Sequence, residues 1–371
     1  MPGDSHGSSL PALLARDLRD RLAGRHARAN ARWGLLKPPA PGGKLVWIAA
    51  GGERDSVRLA VELARALREK RLDLRLAVTV EHQHDDLLRR LEGLPMTGWG
   101  FAPWDRAGAV RRALARLDPL GMIFAGHAPR PHLAQASAAI RHRLLAGAAA
   151  PDAVGFERVY PAAEDQARPD AATHAPVANL LTLVMPAQLD PNFAMLVTGG
   201  EGRRLWWWHG SNAGLGRFLP PFRTAFGDDL LFVSGAAAAG RAVVARLAGW
   251  NREPLPPAAT VAVDAPEWLP AIAAACTGAH FDARDDAALW QALAGGAAAS
   301  VSPDVALPKA ALAGVVERGE GAAVVAAWQA LTRSPAELRA RRDAGRRAFW
   351  DERRLAATVS DELLARVFNW D

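Results

Sequence analysis

The chain contains very little cysteine, tyrosine or lysine for its 371 residues. Its single cysteine, Cys276, excludes an internal disulfide and any zinc site built from several cysteines. No stretch reaches the ~18 apolar residues that a bilayer span requires. The first residues also lack the charged start and apolar core of a signal peptide. The sequence therefore predicts a cytoplasmic protein.

Several short catalytic and nucleotide-binding signatures are missing as well. The sequence has no GxSxG, HExxH or CxxC motif, which disfavours serine hydrolases, zinc proteases and dithiol redox proteins. It also has neither GxGxxG nor GxxxxGK[ST], the commonest glycine-rich loops for nucleotides. No internal repeat of ~20 to 50 residues is present.

The basic excess of the chain consists of arginine. Lysine and arginine total 45 against 39 acidic residues, which gives a net charge of +6, and only four of the basic residues are lysines. An alanine- and arginine-rich composition is typical of genomic base bias, so we predict no nucleic-acid partner. An anionic membrane surface remains compatible with this charge.

What the sequence does contain is an alternation of strands and helices. The strand from Lys44 to Ala50 is followed by a helix with apolar residues at helical spacing and then by the strand from Leu74 to Val80. A second series begins with RLWWWHG, residues 204–210. Because the chain exceeds the size of one core, we predict an α/β protein with two doubly wound Rossmann-like domains and a cleft between them.

The pattern divides the chain into four predicted segments. They are a basic amphipathic segment (1–40), an amino-terminal Rossmann-like domain (41–200), a carboxyl-terminal domain (201–355) and a closing helix (356–371). Residues 148–178 show little period and are expected to be surface structure. Further expectations are strands at 179–187 and 194–200 and helices at 236–250, 321–332 and 335–354.

Residues 9–33 predict one basic amphipathic helix. An apolar stripe runs along it beside a set of arginines, and these residues are Leu10, Leu13, Leu14, Leu18, Leu22, Arg16, Arg19, Arg21, Arg25 and Arg28. This pattern fits a peripheral helix on an anionic membrane, and it equally fits a helix that is docked on the body of the protein.

Ligands of parallel sheets bind beyond the carboxyl ends of the strands, so the turns at these ends hold the candidate sites. In HGSNAGLG, His209 to Gly216, Gly210 and Gly214 allow backbone N–H groups to approach an anion, and Ser211 or Asn212 can cap the helix. We interpret this turn as a nucleotide phosphate site. The alternative is a glycine-rich helix start that binds nothing.

The first turn of the amino-terminal half offers two carboxylates, Glu53 and Asp55. Either one can act as a general base, or it can simply stabilise the start of the helix. His82 and His84 in EHQHDD fit a metal site less well than a loop and helix cap, so no metal is predicted.

Two more groups follow strand ends or lie within strands. His127, Arg130 and His132 in GHAPRPH follow a strand and are candidates for the acceptor side of a site; solvation of a proline-rich turn is the alternative. Residues Trp206 to Trp208 alternate across a strand, so at least one ring is expected in the core, and a base-stacking platform is the minor interpretation.

Several segments together resemble the GT-B glycosyltransferases, and the amino-terminal half most resembles the 3-deoxy-manno-octulosonic acid (Kdo) transferases. The similar segments are residues 21–56, which end in KLVWIAAGGERDS, residues 102–126, which begin APWDRAG, and residues 204–235, 278–304, 307–325 and 333–354. They cover about two thirds of the chain. This resemblance implies metal-independent sugar transfer from a nucleotide-activated donor, CMP-Kdo or similar, to a lipid or glycan acceptor in envelope polysaccharide assembly.

The resemblance also implies site residues. It assigns the base to Glu53 if the alignment is gapped, and to Asp55 if it is not. Arg241 or Lys309 would neutralise the leaving group, and Glu317 would stand in for a ribose-binding glutamate.

The acidic pair that the family has after the strand ending at Phe124 is replaced by AGHAPRPH. A second hypothesis is therefore a glycosyltransferase-like binding or scaffold protein without catalysis. A third is a nucleotide-sugar epimerase on the same architecture.

Overall fold

A computed structural model describes residues 9–40, 42–150, 155–168, 173–185 and 192–371. The chain divides into two compact units. Unit 1 comprises Met1–Leu181 and Leu355–Asp371, and unit 2 comprises Thr182–Arg354. Each unit contains a parallel β-sheet with helices, as predicted.

The sheet described in unit 1 has six strands, all parallel. They are β1 (Leu45–Ala50), β2 (Arg75–Val80), β3 (Thr97–Phe101), β4 (Gly121–Ala125), β5 (His142–Ala146) and β6 (Arg158–Tyr160), in the spatial order β3-β2-β1-β4-β5-β6. The helices are α1 (Leu10–Leu22), α2 (His26–Arg32), α3 (Arg54–Lys70), α4 (Asp85–Leu88), α5 (Ala107–Leu117) and α6 (Pro131–Ser137). This strand order is that of a doubly wound Rossmann sheet, which reverses direction between β1 and β4.

The central strand β1 shows why this sequence forms a covered sheet. All six of its residues are buried. Leu45 and Trp47 pack in a cluster with Val110 and Leu117 of α5, while α3 also contacts β1. A strand covered on both faces reads as a continuous apolar run, and LVWIAA is such a run.

Unit 2 holds the second sheet, described with seven parallel strands. They are β7 (Leu205–His209), β8 (Leu230–Ser234), β9 (Ala245–Arg246), β10 (Thr260–Ala262), β11 (Gly278–Phe281), β12 (Ala298–Val301) and β13 (Val315–Arg318), in the order β13-β12-β11-β7-β8-β10-β9. The helices are α7 (Phe193–Thr198), α8 (Asn212–Phe226), α9 (Leu269–Ala275), α10 (Asp286–Gly295), α11 (Ala322–Arg333) and α12 (Pro335–Phe368). Here the order reverses between β7 and β11.

The three tryptophans of β7 all lie in the core. Trp206, Trp207 and Trp208 are 1%, 0% and 1% exposed. The indole N–H of Trp206 donates to Asp229 Oδ2 at 2.9 Å, so a polar partner accompanies its burial. The alternative of a base-stacking platform is therefore wrong, because no ring face is free for a nucleobase.

The amino-terminal segment is two helices rather than the predicted single helix. α1 ends at Leu22 and α2 begins at His26. Gly24 between them has φ +72°, a left-handed conformation that interrupts helical hydrogen bonding.

Four further element predictions are wrong. Residues 148–178 were expected to be surface structure, but Arg158–Tyr160 form β6 of the sheet with Val159 and Tyr160 buried. Residues 180–183 form a 3-10 turn and residues 193–198 form α7, where strands were expected; residues 186–191 of that region lie outside the described residues. The predicted helix at 236–250 is a 3-10 turn at 235–239 and the short strand β9. Within the predicted range Gly240 is extended, with φ −75° and ψ 161°, and Gly249 has φ 75°; a continuous helix accommodates neither. A short apolar run does not distinguish strand from helix by period alone.

The two helices predicted at the carboxyl end are one helix. α12 runs from Pro335 to Phe368 without interruption, because neither glycine nor proline follows Arg354 within it. Its residues to Arg354 belong to unit 2, and those from Leu355 belong to unit 1.

Candidate functional site

The carboxyl ends of β1 and β4 meet at the reversal point of the unit 1 sheet. Ser56, in the first turn of α3, joins them: its hydroxyl accepts from the Gly51 N–H at 2.7 Å and donates to the Ala125 carbonyl at 2.5 Å. This buried serine explains part of the sequence GGERDS, since it satisfies backbone groups that the end of the sheet leaves unpaired.

His127 lies directly at this reversal point. Its Nε2 is 3.2 Å from the Ala49 carbonyl oxygen and its Nδ1 is 2.8 Å from the Ala128 carbonyl oxygen. Burial lowers the pKa of His127, although the two carbonyls and Glu81 act in the opposite direction. The neutral ring can donate to only one of these carbonyls, so protonation would add a second hydrogen bond.

A narrow pocket of about 20 Å³, with room for roughly one water molecule, opens beside His127 within unit 1. Glu81 and Arg130 form an ion pair in its wall. Asp105, also in the lining, accepts a hydrogen bond from the Leu133 N–H at 3.0 Å and so holds the start of α6. The rest of the lining is largely apolar and consists of Trp47, Ala49, Ala50, Thr79, Ala102, Pro103, Val110 and Leu133. An apolar pocket with a few convergent polar groups is the usual form of a small-molecule site.

The carboxylates predicted from the sequence do not line this pocket. Glu53 is exposed at the start of α3, and its side chain makes no capping hydrogen bond. Asp55 lies in the first turn of α3, with Oδ1 3.6 Å from Arg58. The acceptor-side candidates divide: His127 and Arg130 line the pocket, whereas His132 does not.

The histidines of EHQHDD face one backbone carbonyl. His82 Nδ1 is 3.3 Å and His84 Nε2 is 3.2 Å from the oxygen of Gly52. Each ring can donate one N–H to this oxygen, which ties the loop after β2 to the turn after β1. In the described part of the chain, no group of three or more His, Cys, Asp and Glu side chains has the arrangement of a metal site.

In unit 2, His209 ends β7 as a buried residue whose orientation is set by its neighbours. The hydroxyl of Ser234 accepts from the Trp207 indole N–H at 2.8 Å and lies 2.9 Å from His209 Nδ1. When the Ser234 hydroxyl donates a hydrogen bond to Nδ1, the ring proton is on Nε2. This N–H then points toward Asp285 Oδ2, which is 3.6 Å from Nε2. Burial lowers the pKa of His209, opposed by Asp285 and Asp282.

The glycine-rich turn that follows β7 holds a carboxylate of the protein itself. The Ser211 hydroxyl accepts from the Gly214 N–H at 3.1 Å, capping α8, and donates to Asp282 Oδ2 at 3.0 Å. A methyl group at Gly214 would overlap the Asp282 carboxylate, and one at Gly210 would meet its Cβ. The glycines therefore allow Asp282 to approach the start of α8, where the helix dipole favours a negative charge.

A buried histidine, His280, is linked to Asp282 through Ser302. Ser302 donates to Asp282 Oδ1 at 3.2 Å and also lies 3.3 Å from His280 Nε2. His280 is 2% exposed, and burial lowers its pKa to about 4 against the attraction of Asp282. The histidine is therefore neutral at neutral pH.

A groove of about 410 Å³ runs beside the same helix start. Asn212, Leu215 and Gly216 line it from α8, and Ala239, Gly240, Arg241 and Ala242 line it from the loop after β8. Arg241 is exposed there. Of the predicted phosphate-side residues, Asn212 and Arg241 come together in this groove. Lys309, in a 3-10 turn, does not line it, and Glu317 belongs to the edge strand β13.

Sequence reasoning did not single out Glu81 or Asp282. Both directly follow a strand, β2 and β11 respectively, and that position is the signal that could have found them. Glu81 stands in a motif whose histidines suggest a metal or a cap, and Asp282 stands beside the other acidic residues of DARDD.

Known structures share this architecture at low sequence identity. A proposed UDP-N-acetylglucosamine 2-epimerase from Listeria monocytogenes matches with a TM-score of 0.59 and 11% identity, covering 89% of this chain and 98% of that one. The UDP-GlcNAc 2-epimerase from Neisseria meningitidis, bound to UDP-GlcNAc, has a TM-score of 0.56 and 10% identity over 86% and 100%. HepE from Anabaena in complex with UDP has a TM-score of 0.55 and 9% identity over 87% and 100%.

The fold is thus the two-domain α/β fold of the GT-B class. No protein-family model and no curated protein sequence matches the chain. Among the described helices, none combines the length and the apolar character required to cross a membrane.

Proposed function

We propose that the protein is a nucleotide-sugar enzyme whose donor phosphates bind in the unit 2 groove. The observation that carries this proposal is the exposed guanidinium of Arg241, which lies beside Asn212 and Gly216 of α8 in a groove of about 410 Å³. A helix start and an arginine are the two features that stabilise a phosphate. Two of the similar structures are complexes with UDP-GlcNAc and with UDP, which supports the same ligand class.

Asp282 determines which part of the turn can receive a phosphate. Its carboxylate lies against Gly214, so a diphosphate placed there would face a like charge. Asn212, Gly216 and Gly240 line the groove instead. We therefore assign the phosphate to the groove beside Arg241 and not to the part of the turn that Asp282 occupies.

The reaction we propose is transfer of the sugar to a lipid or glycan acceptor, with the nucleotide sugar as co-substrate and no resident metal or cofactor. Glu81 is the proposed proton acceptor, since it lines the unit 1 pocket and Arg130 holds it in place. Glu53 and Asp55 remain alternative bases by resemblance. A CMP-linked donor such as CMP-Kdo, for envelope polysaccharide assembly in the cytoplasm, is the finer form of this proposal.

A nucleotide-sugar epimerase is the second candidate. It is favoured by the likeness in fold to structures named as UDP-GlcNAc 2-epimerases. Incubation with a UDP-sugar alone discriminates the two reactions, because an epimerase converts the sugar without an acceptor, whereas transfer requires one.

The binding step is tested by thermal shift with UDP, CMP and GDP. A ligand that binds only the folded protein stabilises it by ~2.7 kcal/mol at a hundredfold excess over Kd, so we expect a higher Tm with at least one nucleotide. Arg241→Ala should abolish the increase. Arg204→Ala is the matched control, because this exposed arginine precedes β7 at the opposite end of the sheet.

Two outcomes would contradict the proposal. A Tm increase that persists in Arg241→Ala would show that the nucleotide phosphate does not bind in this groove. No shift with any of the three nucleotides would favour the alternative function, a binding or scaffold protein without catalysis.

A further inference from the structure

Helix α1 carries a line of four exposed leucines. Leu10, Leu14, Leu18 and Leu22 are 52%, 50%, 59% and 81% exposed. Residues four apart lie above one another on a helix, so these side chains form one continuous apolar strip. Leu13 of the same helix is only 5% exposed, which shows that the helix does pack on unit 1, but with another face.

The inward face of α1 is held by ionic contacts in addition to Leu13. Asp20, 5% exposed, accepts a hydrogen bond from Arg32 of α2 at 2.9 Å. Asp17 accepts from the Trp33 indole N–H at 3.0 Å and from Arg21 Nε at 2.8 Å. Turning the leucines inward would separate the buried Asp20–Arg32 pair, which is costly. The outward direction of the strip is therefore fixed by the fold.

Positive charge is concentrated in the segment that carries this strip, and the excess lies outside the buried Asp20–Arg32 pair, whose charges cancel. Residues 9–40 contain seven basic residues (Arg16, Arg19, Arg21, Arg25, Arg28, Arg32 and Lys37) against the acidic Asp17 and Asp20. The segment thus carries +5 of the net +6 of the chain. Arg19, between Leu18 and Leu22 in sequence, is exposed.

We propose that α1 docks on the surface of an anionic lipid bilayer, with its leucine strip entering the interface. Apolar side chains alone would suit any apolar partner, but the surrounding positive charge favours a surface of negative charge. The leucines supply the apolar burial, and the arginines supply attraction to lipid phosphates. This inference goes beyond nucleotide binding and stands or falls separately from it.

The test is flotation of the full chain with vesicles. We expect binding to equimolar phosphatidylglycerol and phosphatidylcholine, little binding to phosphatidylcholine alone, and weakening by salt. The double substitution Leu14→Glu/Leu18→Glu should reduce binding by about tenfold or more, since it places two charges in the strip. Leu72→Glu is the matched control: Leu72 is 68% exposed in unit 1 but lies outside α1, so binding should be unchanged.

The folded state of each variant is checked by circular dichroism, and the oligomeric state by light scattering. Wild-type protein that fails to float with anionic vesicles, or a double variant that floats as well as wild type, would overturn the proposal. So would a wild-type dimer that the double variant breaks without any vesicle binding, because a second copy would then cover the strip. The nucleotide thermal shift is read separately on the same proteins.

Discussion

The reversal points of the two sheets are equivalent positions with different contents. In unit 1, β1 and β4 end next to His127, and a pocket of about 20 Å³ with the Glu81–Arg130 pair lies beside it. In unit 2, β7 and β11 end at Asp282, which occupies the start of α8. The same topology thus leaves a small, largely apolar pocket in one unit and fills the corresponding crevice with a protein carboxylate in the other.

This comparison shows that strand order identifies where a ligand can bind, but it does not determine whether the crevice at that position is free for a ligand. The start of α8 has the glycines and cap of an anion site, and an internal anion already satisfies them. The open volume of unit 2 lies next to this turn, at Arg241. Site chemistry follows the local side chains rather than the topology.

The largest expected effect concerns the unit 1 pocket. Glu81→Gln should lower sugar turnover about a thousandfold, because the amide keeps the shape of the side chain but cannot accept a proton. Glu53→Gln and Asp55→Asn, outside the pocket, should retain activity within about twofold if Glu81 is the base. The measurement is the initial rate with nucleotide sugar and acceptor. Full activity of Glu81→Gln together with loss of activity in either other variant would assign the base to Glu53 or Asp55 instead.

The second prediction tests the filled crevice of unit 2. Gly214→Ala should destabilise the protein by about 2 to 3 kcal/mol, because its methyl group displaces Asp282 from Ser211. Gly216→Ala is the control: a methyl group there meets nothing within 4 Å and improves helix propensity, so stability should rise slightly. Urea unfolding measures both.

A double substitution checks the cause of that destabilisation. Asp282→Ala in the Gly214→Ala background should restore part of the lost stability, since the overlapping side chain is gone. Strictly additive losses would show that Asp282 and Gly214 do not interact as described.

The third prediction is a pH dependence of stability that originates at His280, which lies next to Ser302 and Asp282. The pKa of His280 is about 4 in the folded protein and ordinarily ~6.5, so the unfolded chain binds a proton in this range that the folded protein does not. Stability is therefore present above pH ~6.5 and is lost as the pH falls; from pH 7 to pH 5 the loss from His280 is about 2 kcal/mol. Urea unfolding at both pH values should show a smaller loss for His280→Gln. An equal loss in both proteins would contradict this assignment.

The smallest expected effect is that of the helix cap. Ser211→Ala should cost about 1 kcal/mol, because the Gly214 N–H loses its acceptor and Asp282 loses one donor. Ser211→Thr keeps the hydroxyl and should retain most of that stability. An unchanged unfolding midpoint for Ser211→Ala would mean that Asp282 alone satisfies the helix start.

Much of the architecture could be predicted because each central strand carries its own signal. LVWIAA and LWWWH are apolar runs of strand length, and turns and helices with a regular apolar period separate them from the next strands. The helix predicted after β8 is wrong because the alanines of that segment favour helix only locally, whereas Gly235 and the pairing of β9 with β10 decide its conformation.

The candidate site was predictable only in part. His127, Arg130, Asn212 and Arg241 follow strands in the sequence, and the structure places them at the pocket and the groove. The partnership of Glu81 with Arg130 could not be predicted, because it joins the ends of two strands that are not adjacent in the sheet.

Local sequence patterns define the α/β class, the central strands of both sheets and the turns that follow them, since these depend on local periodicity and on burial. Tertiary contacts determine that Asp282 fills the start of α8, that four leucines of α1 face outward and that Glu81 lines a pocket. Each of these outcomes depends on contacts between residues distant in the chain, such as Asp20 with Arg32 or Ser211 with Asp282. No local pattern encodes which of several available carboxylates or faces will be the one that is buried.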